Sequence, residues 1–214
     1  MNPEDFEIGK LIPLLENNYG YIWVFLIIGL IFIALARTNQ YGIIRKLFTQ
    51  TTRIESKLFN TNSLSVYLLF FNYILILSAF IFLLNNSFSS KTSIPLLLLF
   101  ISILIFYILK TSILIGIATL FNRKTYFDIT NNLKYYQITG LILLPIVGFS
   151  YFQTIVIKDT ILLIGVLAIT ITILLHKYKS LVQARQFNIS YLYIILYLCT
   201  LEILPALYII KYFI

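Results

Sequence analysis

The segment LSVYLLFFNYILILSAFIFLL, residues Leu64 to Leu84, decides the fold class, because it is mainly apolar and carries no charged side chain. An α-helix needs about 20 such residues to cross roughly 30 Å of hydrocarbon. The whole chain is 60% hydrophobic and 11% charged, with a mean hydropathy of +0.93. A soluble domain carries about 25% charged residues. This composition excludes a water-soluble domain and intrinsic disorder, and it predicts an integral membrane protein.

Five further apolar stretches flank this segment on both sides, and the connections between them are short. The six expected spans are approximately 19–36, 64–84, 95–121, 138–157, 160–175 and 189–212. Together they use most of the chain, so residues 1–214 are expected to form a single membrane domain. The predicted fold class is all-α: a polytopic helical membrane bundle with six transmembrane helices.

The lysines and arginines predict the orientation of this bundle, since short cytoplasmic loops are enriched in them. Eleven lie on one side of the expected spans: Arg37, Arg45, Lys46, Arg53, Lys57, Arg123, Lys124, Lys134, Lys177, Lys179 and Arg185. Four lie on the other side, at Lys10, Lys91, Lys158 and Lys211, and Lys110 lies inside a span. We therefore expect an inner (cytoplasmic) membrane protein with both termini non-cytoplasmic. This topology accounts for the net charge of +8 without nucleic acid as a partner.

The first cytoplasmic connection, residues 41–59, has partial helical periodicity, with an apolar arc that includes Ile43 and Leu47. It is either an interfacial helix on anionic lipid, which we favour, or a connector whose charges only set the topology. The candidate lipid-headgroup contacts are Arg45, Lys46 and Arg53, with Arg123 and Lys124 in the next cytoplasmic connection.

Two ionisable residues, Lys110 and Glu202, lie deep inside expected spans, about 17 Å and 20 Å from the cytoplasmic ends of their helices. A lone charge in lipid is costly, so each is expected to face the bundle interior and to pair with the other. The pair is either an ion or proton relay, or a contact that fixes helix packing. We favour packing, because pathways usually gather more polar residues than one acid and one base.

Prolines inside two spans, Pro145 and Pro205, predict local kinks. Each removes one backbone donor and displaces the carbonyl four residues earlier, at Leu141 and Leu201. Such kinks in membrane helices mostly serve packing.

Catalytic and metal-binding constellations are not evident in the sequence. One histidine and one cysteine cannot assemble a Cys/His metal cluster, and no glycine-rich phosphate loop occurs. We expect His176 to be a solvated interfacial residue and Cys199 to be a small buried hydrophobe. The sequence therefore predicts no catalytic residue, no metal and no cofactor, and it does not favour an enzyme.

The last expected span contains Leu-Tyr-Leu-Cys-Thr-Leu-Glu-Ile-Leu-Pro, in which Tyr197 to Pro205 is the specific part. It resembles the C-terminal signature of an uncharacterised family of small multi-pass inner-membrane proteins of Bacteroidetes-type bacteria, a domain of unknown function. The resemblance implies an inner-membrane location and no known activity.

Two main functional hypotheses follow. The preferred one is a non-enzymatic accessory or structural subunit of an envelope assembly, of the secretion or export type. The alternative is a small transporter or channel that uses Lys110 and Glu202, and a lipid-acting enzyme is a third, less favoured reading. The expected partners are membrane lipids and other integral membrane proteins.

Overall fold

The computed structural model of the protein describes residues 20–52, 64–88, 95–120, 126–153 and 155–186, and the regular elements in these ranges are all helices. They are α1 (Gly20–Asn39), α2 (Ile43–Thr52), α3 (Leu64–Phe88), α4 (Leu96–Leu120), α5 (Tyr126–Phe152) and α6 (Ile155–Gln186). The all-α class predicted from the sequence is confirmed for this part of the chain.

Among the described residues, four helices are long and apolar enough to cross a membrane: α1, α3, Leu133–Phe152 of α5 and Ile157–Tyr178 of α6. A shorter apolar helix, Leu96–Ser112, forms the first part of α4. Each of the first five expected spans overlaps one of these helices. The sixth expected span, 189–212, lies outside the described residues, so the count of six spans stays a prediction.

Helix α3 occupies the centre of the described bundle and contacts α1, α4, α5 and α6. Within its apolar window 67% of the residues are buried, compared with 22% in α1 and 11% in α6. A helix that is hydrophobic on all sides suits such a central position. The main core surrounds α3 and contains Ile22 and Leu26 of α1, Ile76, Phe80 and Leu83 of α3, Leu143 and Val147 of α5, and Leu162 of α6.

Small residues set how closely α3 approaches its neighbours. A Cβ atom added to Gly140 of α5 would lie 2.7 Å from the Cα atom of Tyr73 in α3. A Cβ atom added to Gly29 of α1 would lie 2.8 Å from Oδ1 of Asn72. Glycine at these positions lets helix backbones come together, which is how membrane helices commonly pack.

A tight turn reverses the chain between α1 and α2. The Gln40 amide donates to the Ala36 carbonyl, the Ile43 amide donates to the Gln40 carbonyl, and Gly42 has a φ of 77°. A positive φ favours glycine, which has no Cβ. Helix α2 therefore folds back on the bundle, where Ile43 and Leu47 are fully buried. It lies within the predicted range 41–59, and its position at a membrane surface stays a prediction.

The boundary between α5 and α6 differs from the expected one. The helices separate between Phe152 and Ile155, so Lys158 and Asp159 lie in the first turns of α6 and not in a connection. Lys158 is buried within the described bundle. Pro145 lies inside α5 and is exposed; the kink expected there stays a prediction.

Candidate functional site

Five side chains converge where α3, α4 and α5 meet: Phe70 and Tyr73 of α3, Tyr107 and Lys110 of α4, and Tyr136 of α5. We call them the tyrosine–lysine cluster. The pairs on α3 and α4 are each three residues apart, a spacing that places both side chains on one face of a helix. The cluster includes Lys110, the charged residue that the sequence placed inside the third expected span.

The aromatic rings of the cluster pack face to face and edge to face. Tyr73 and Tyr136 are stacked, with ring centroids 5.2 Å apart and an interplanar angle of 16°. Tyr107 meets Tyr136 edge-on at 4.9 Å and 71°, and Phe70 meets Tyr107 edge-on at 5.8 Å. Such offset and T-shaped arrangements add about 0.5–1.5 kcal/mol per pair beyond the buried area. The rings therefore fix the relative register of three helices.

The polar groups of the cluster contact one another. Lys110 Nζ donates a hydrogen bond to the Tyr136 hydroxyl at 3.0 Å and lies 5.7 Å from the centroid of the same ring. The hydroxyls of Tyr73 and Tyr107 are hydrogen-bonded to each other, and both residues are buried. An ammonium held by a phenol oxygen and close to a ring face gains hydrogen-bond and cation–π stabilisation. The arrangement thus keeps a cation among aromatic side chains.

A second contact lies beside the cluster and joins α5 to α6. The rings of Tyr135 and His176 are stacked, with centroids 4.4 Å apart and an interplanar angle of 29°. His176 is 8% exposed and interacts electrostatically with Lys177 and Lys110. The expectation of a solvated interfacial histidine was wrong. Helix α6 continues beyond Leu175, so His176 is a residue of this helix. Its imidazole packs against the ring of Tyr135 on α5.

The polar residues near the start of α5 are also covered by protein. Gln137 is fully buried and its Nε2 atom donates to the Val66 carbonyl of α3 at 2.8 Å. Lys134, which the sequence placed in a connection, lies inside α5 and is 6% exposed. The helix begins at Tyr126, well before the apolar stretch, and polar Gln137 lies within it with a partner on α3. Hydropathy alone does not register such interhelical bonds.

The other predicted residues fall in different places. Arg45 is exposed on α2, and Lys46 lies in the same helix. Arg53, Arg123, Lys124, Cys199, Glu202 and Pro205 lie outside the described residues, so the Lys110–Glu202 pair stays a prediction. The headgroup role of the basic residues is likewise a prediction.

Tyr73, Tyr107 and Tyr136 are candidates that the sequence reasoning missed. The available signal was position, since Tyr73 and Tyr107 lie well inside expected spans. Membrane tyrosines concentrate at the two ends of a span, where ring and hydroxyl meet lipid and water. A tyrosine inside a span needs a partner for its hydroxyl, and here that partner is another member of the cluster.

Comparison with known proteins identifies the family of this chain but no activity. No curated protein and no solved structure matches the chain. Residues 22–213 match the family described as "Domain of unknown function (DUF4271)". The resemblance to a family of unknown function is thereby confirmed, and because the match covers nearly all of the sequence, the chain belongs to the DUF4271 family.

Proposed function

We propose that this protein is a non-enzymatic integral protein of the inner membrane that serves as an accessory or structural subunit of an envelope assembly, of the secretion or export type. The observation that carries this proposal is that Lys110 takes part in the packing between helices. Its ammonium contacts Tyr136 inside an aromatic cluster that joins three helices. A half-buried charge in such a setting serves to specify how helices associate.

The proposal includes the full topology of six spans with both termini away from the cytoplasm. Four helices with the length and composition of membrane spans support it, as does the eleven-to-four distribution of basic residues. The described connections are short as well: α1 is joined to α2 by three residues that form one tight turn. In a protein of this design, the surfaces of the spans are the contacts with other membrane proteins.

Helices α1 and α6 carry the apolar surface that such contacts need. Large exposed side chains include Val24, Ile27 and Ile31 of α1, and Leu163, Leu167 and Leu174 of α6. Inside a bilayer these side chains face either lipid or an integral partner, since both are apolar. We propose integral membrane proteins and lipids as the partners and exclude nucleic acid from the proposal, because the topology accounts for the positive charge.

Site-specific photocrosslinking in the native membrane tests the proposal. A photoreactive residue at Ile27 and one at Leu167 probe the exposed faces, and Leu162, which is fully buried, is the matched control. We expect the exposed positions to give one discrete adduct with another integral protein, and reciprocal purification of that protein to recover this chain. Adducts with lipid alone at both exposed positions would contradict the proposal.

A second candidate, a small transporter or channel, is favoured by one observation. The Tyr73–Tyr107 hydroxyl pair lies beside the Lys110–Tyr136 contact, so titratable groups of two kinds gather at one place inside the bundle. With Glu202 nearby, as the sequence predicts, they would form an ion or proton site. Purified protein in liposomes should then move protons or small ions, and a Lys110→Met variant that still folds should not.

A further inference from the structure

A groove opens where α1 ends and α2 begins, on the outside of the bundle and away from the tyrosine–lysine cluster. Its volume is about 550 Å³, within the range of small-ligand sites. The lining residues are Leu30, Ile33, Ala34, Arg37, Thr38, Tyr41 and Ile44. It is therefore formed by two helices and the turn that joins them.

The groove is apolar at one end and polar at the other. Leu30, Ile33 and Ala34 lie in the apolar part of α1, and Arg37 lies in its last turn, about 10 Å beyond Leu30 and about 4.5 Å beyond Ala34 along the helix axis. Tyr41 follows in the turn and is 89% exposed. An exposed tyrosine next to an arginine at the end of an apolar helix is typical of the headgroup level of a bilayer. The groove thus spans the boundary between acyl chains and headgroups.

The charge at the polar end selects an anion. Arg37 is exposed, and a guanidinium can bind a phosphate through two parallel hydrogen bonds. Residues 20–52 contain the further cations Arg45 and Lys46 and no aspartate or glutamate. The first turn of α2 borders the groove at Ile44, where the positive end of its dipole offsets the negative end of the α1 dipole; the attraction for an anion therefore comes from the side-chain charge.

We propose that this groove is a specific binding site for one anionic glycerophospholipid. The headgroup phosphate contacts Arg37, and one acyl chain lies along Leu30, Ile33 and Ala34. The apolar lining excludes a free phosphate as the natural occupant, because such an ion leaves that part of the groove unfilled. The site is independent of the proposed function, since it is formed by residues outside the tyrosine–lysine cluster.

Native mass spectrometry of the purified full chain tests the site, with phosphatidylglycerol or phosphatidylcholine added in detergent. We expect one phosphatidylglycerol to be retained by the unaltered chain, and roughly tenfold weaker retention in Arg37→Gln. Lys177→Gln is the matched control, since it removes one positive charge from α6, outside the groove lining. Arg37→Lys should retain part of the binding, because a point charge remains without the two-pronged geometry.

A second variant keeps the test informative if loss of Arg37 affects folding. Ala34→Phe leaves every charge in place and fills the apolar end, so it should also release the lipid. Equal losses in Arg37→Gln and Lys177→Gln would overturn the proposal by showing only diffuse surface attraction. Equal retention of phosphatidylcholine, or displacement of the lipid by inorganic phosphate, would overturn it as well.

Discussion

Tyr136 combines three interactions in one side chain. It stacks on Tyr73, meets the edge of Tyr107, and accepts a hydrogen bond from Lys110. Tyr136→Phe keeps both ring contacts and removes only the hydroxyl. We expect a loss of about 1 kcal/mol in stability, since hydrogen bonds between membrane helices are worth about this much and those to charged groups somewhat more. Thermal unfolding in detergent measures the loss.

The control for this prediction is Tyr67→Phe, which removes a hydroxyl from an exposed tyrosine of α3. It should leave the unfolding temperature almost unchanged. If the two variants unfold at the same temperature, the Lys110–Tyr136 bond contributes nothing to the fold.

Asn72 is a buried polar residue of a different kind. Its side chain is fully buried in α3, and within the described part of the chain neither Oδ1 nor Nδ2 has a hydrogen-bond partner. Burying an uncompensated amide costs about 1–3 kcal/mol. Asn72→Leu, which nearly conserves the volume, should therefore raise the unfolding temperature or leave it unchanged.

Gln137 provides the comparison for Asn72, because it is equally buried and donates from Nε2 to the Val66 carbonyl. Gln137→Leu removes that interhelical bond and should lower the unfolding temperature. Equal destabilisation by the two leucine substitutions would show that the amide of Asn72 also has a partner.

At the scale of helix pairs, α3 and α5 approach each other closely at Gly140. A methyl group at Gly140 would lie 2.7 Å from Tyr73 Cα, and a backbone atom cannot move aside as a flexible side chain can. Gly140→Ala should therefore separate the two helices and destabilise the protein by about 1–3 kcal/mol, the usual cost of overpacking. Thermal unfolding in detergent again provides the measurement.

Gly148→Ala is the matched control in the same helix, since nothing lies within 4 Å of the added Cβ atom. It should be neutral or stabilising by up to about 1 kcal/mol, because alanine favours a helix more than glycine does. Equal effects of the two alanine substitutions would contradict the close α3–α5 contact.

At this scale, the sequence predicts the features that depend on neighbouring residues and does not predict those that depend on contacts between helices. Helices α1 and α3 follow from hydropathy, because each apolar stretch is long and uninterrupted by charge. The start of α5 does not, since Lys134 and Gln137 are polar and are covered only by contacts with other elements. The stack of Tyr135 on His176 has the same cause. It depends on the register of two helices, which no local pattern of residues records.

In the same way, part of the candidate site could be predicted from the sequence and part could not. Lys110 is visible in the sequence because a charge inside an apolar span needs a partner. That its ammonium contacts Tyr136 depends on α4 and α5 meeting at one level, and both helices are packed around α3. The groove beside Arg37 depends on the turn at Gly42, which directs α2 back along the bundle.

For the whole molecule, topology is the most direct prediction. Reporter fusions at Asn60, Asn122 and Asn188 should report the cytoplasmic side, and fusions at Ser90 and after Ile214 should report the opposite side. The reason is the excess of lysine and arginine on one side of the expected spans. A cytoplasmic signal after Ile214 would mean that the chain crosses the membrane an even number of times between Asn60 and its end, and not the expected five times.

The proposed scaffold and the alternative ion site differ in what happens when Lys110 and Glu202 are changed together. If the pair only fixes packing, Lys110→Met or Glu202→Leu alone leaves one buried charge unpaired. Breaking a buried pair in this way typically costs about 3–5 kcal/mol, whereas an apolar replacement of both partners can be neutral. We therefore expect each single variant to be strongly destabilised and the double variant to unfold near the temperature of the unaltered protein.

The growth or export phenotype must be measured for the same three variants, because stability alone does not separate the two hypotheses. A structural pair predicts that the double variant recovers both the unfolding temperature and the growth or export phenotype. An ion or proton site predicts recovery of stability without recovery of function, since the double variant lacks the lysine and the glutamate that would carry the ions or protons. Recovery of stability alone would therefore replace the scaffold with the transporter. If Glu202→Leu is as stable as the unaltered protein, Lys110 and Glu202 are not paired.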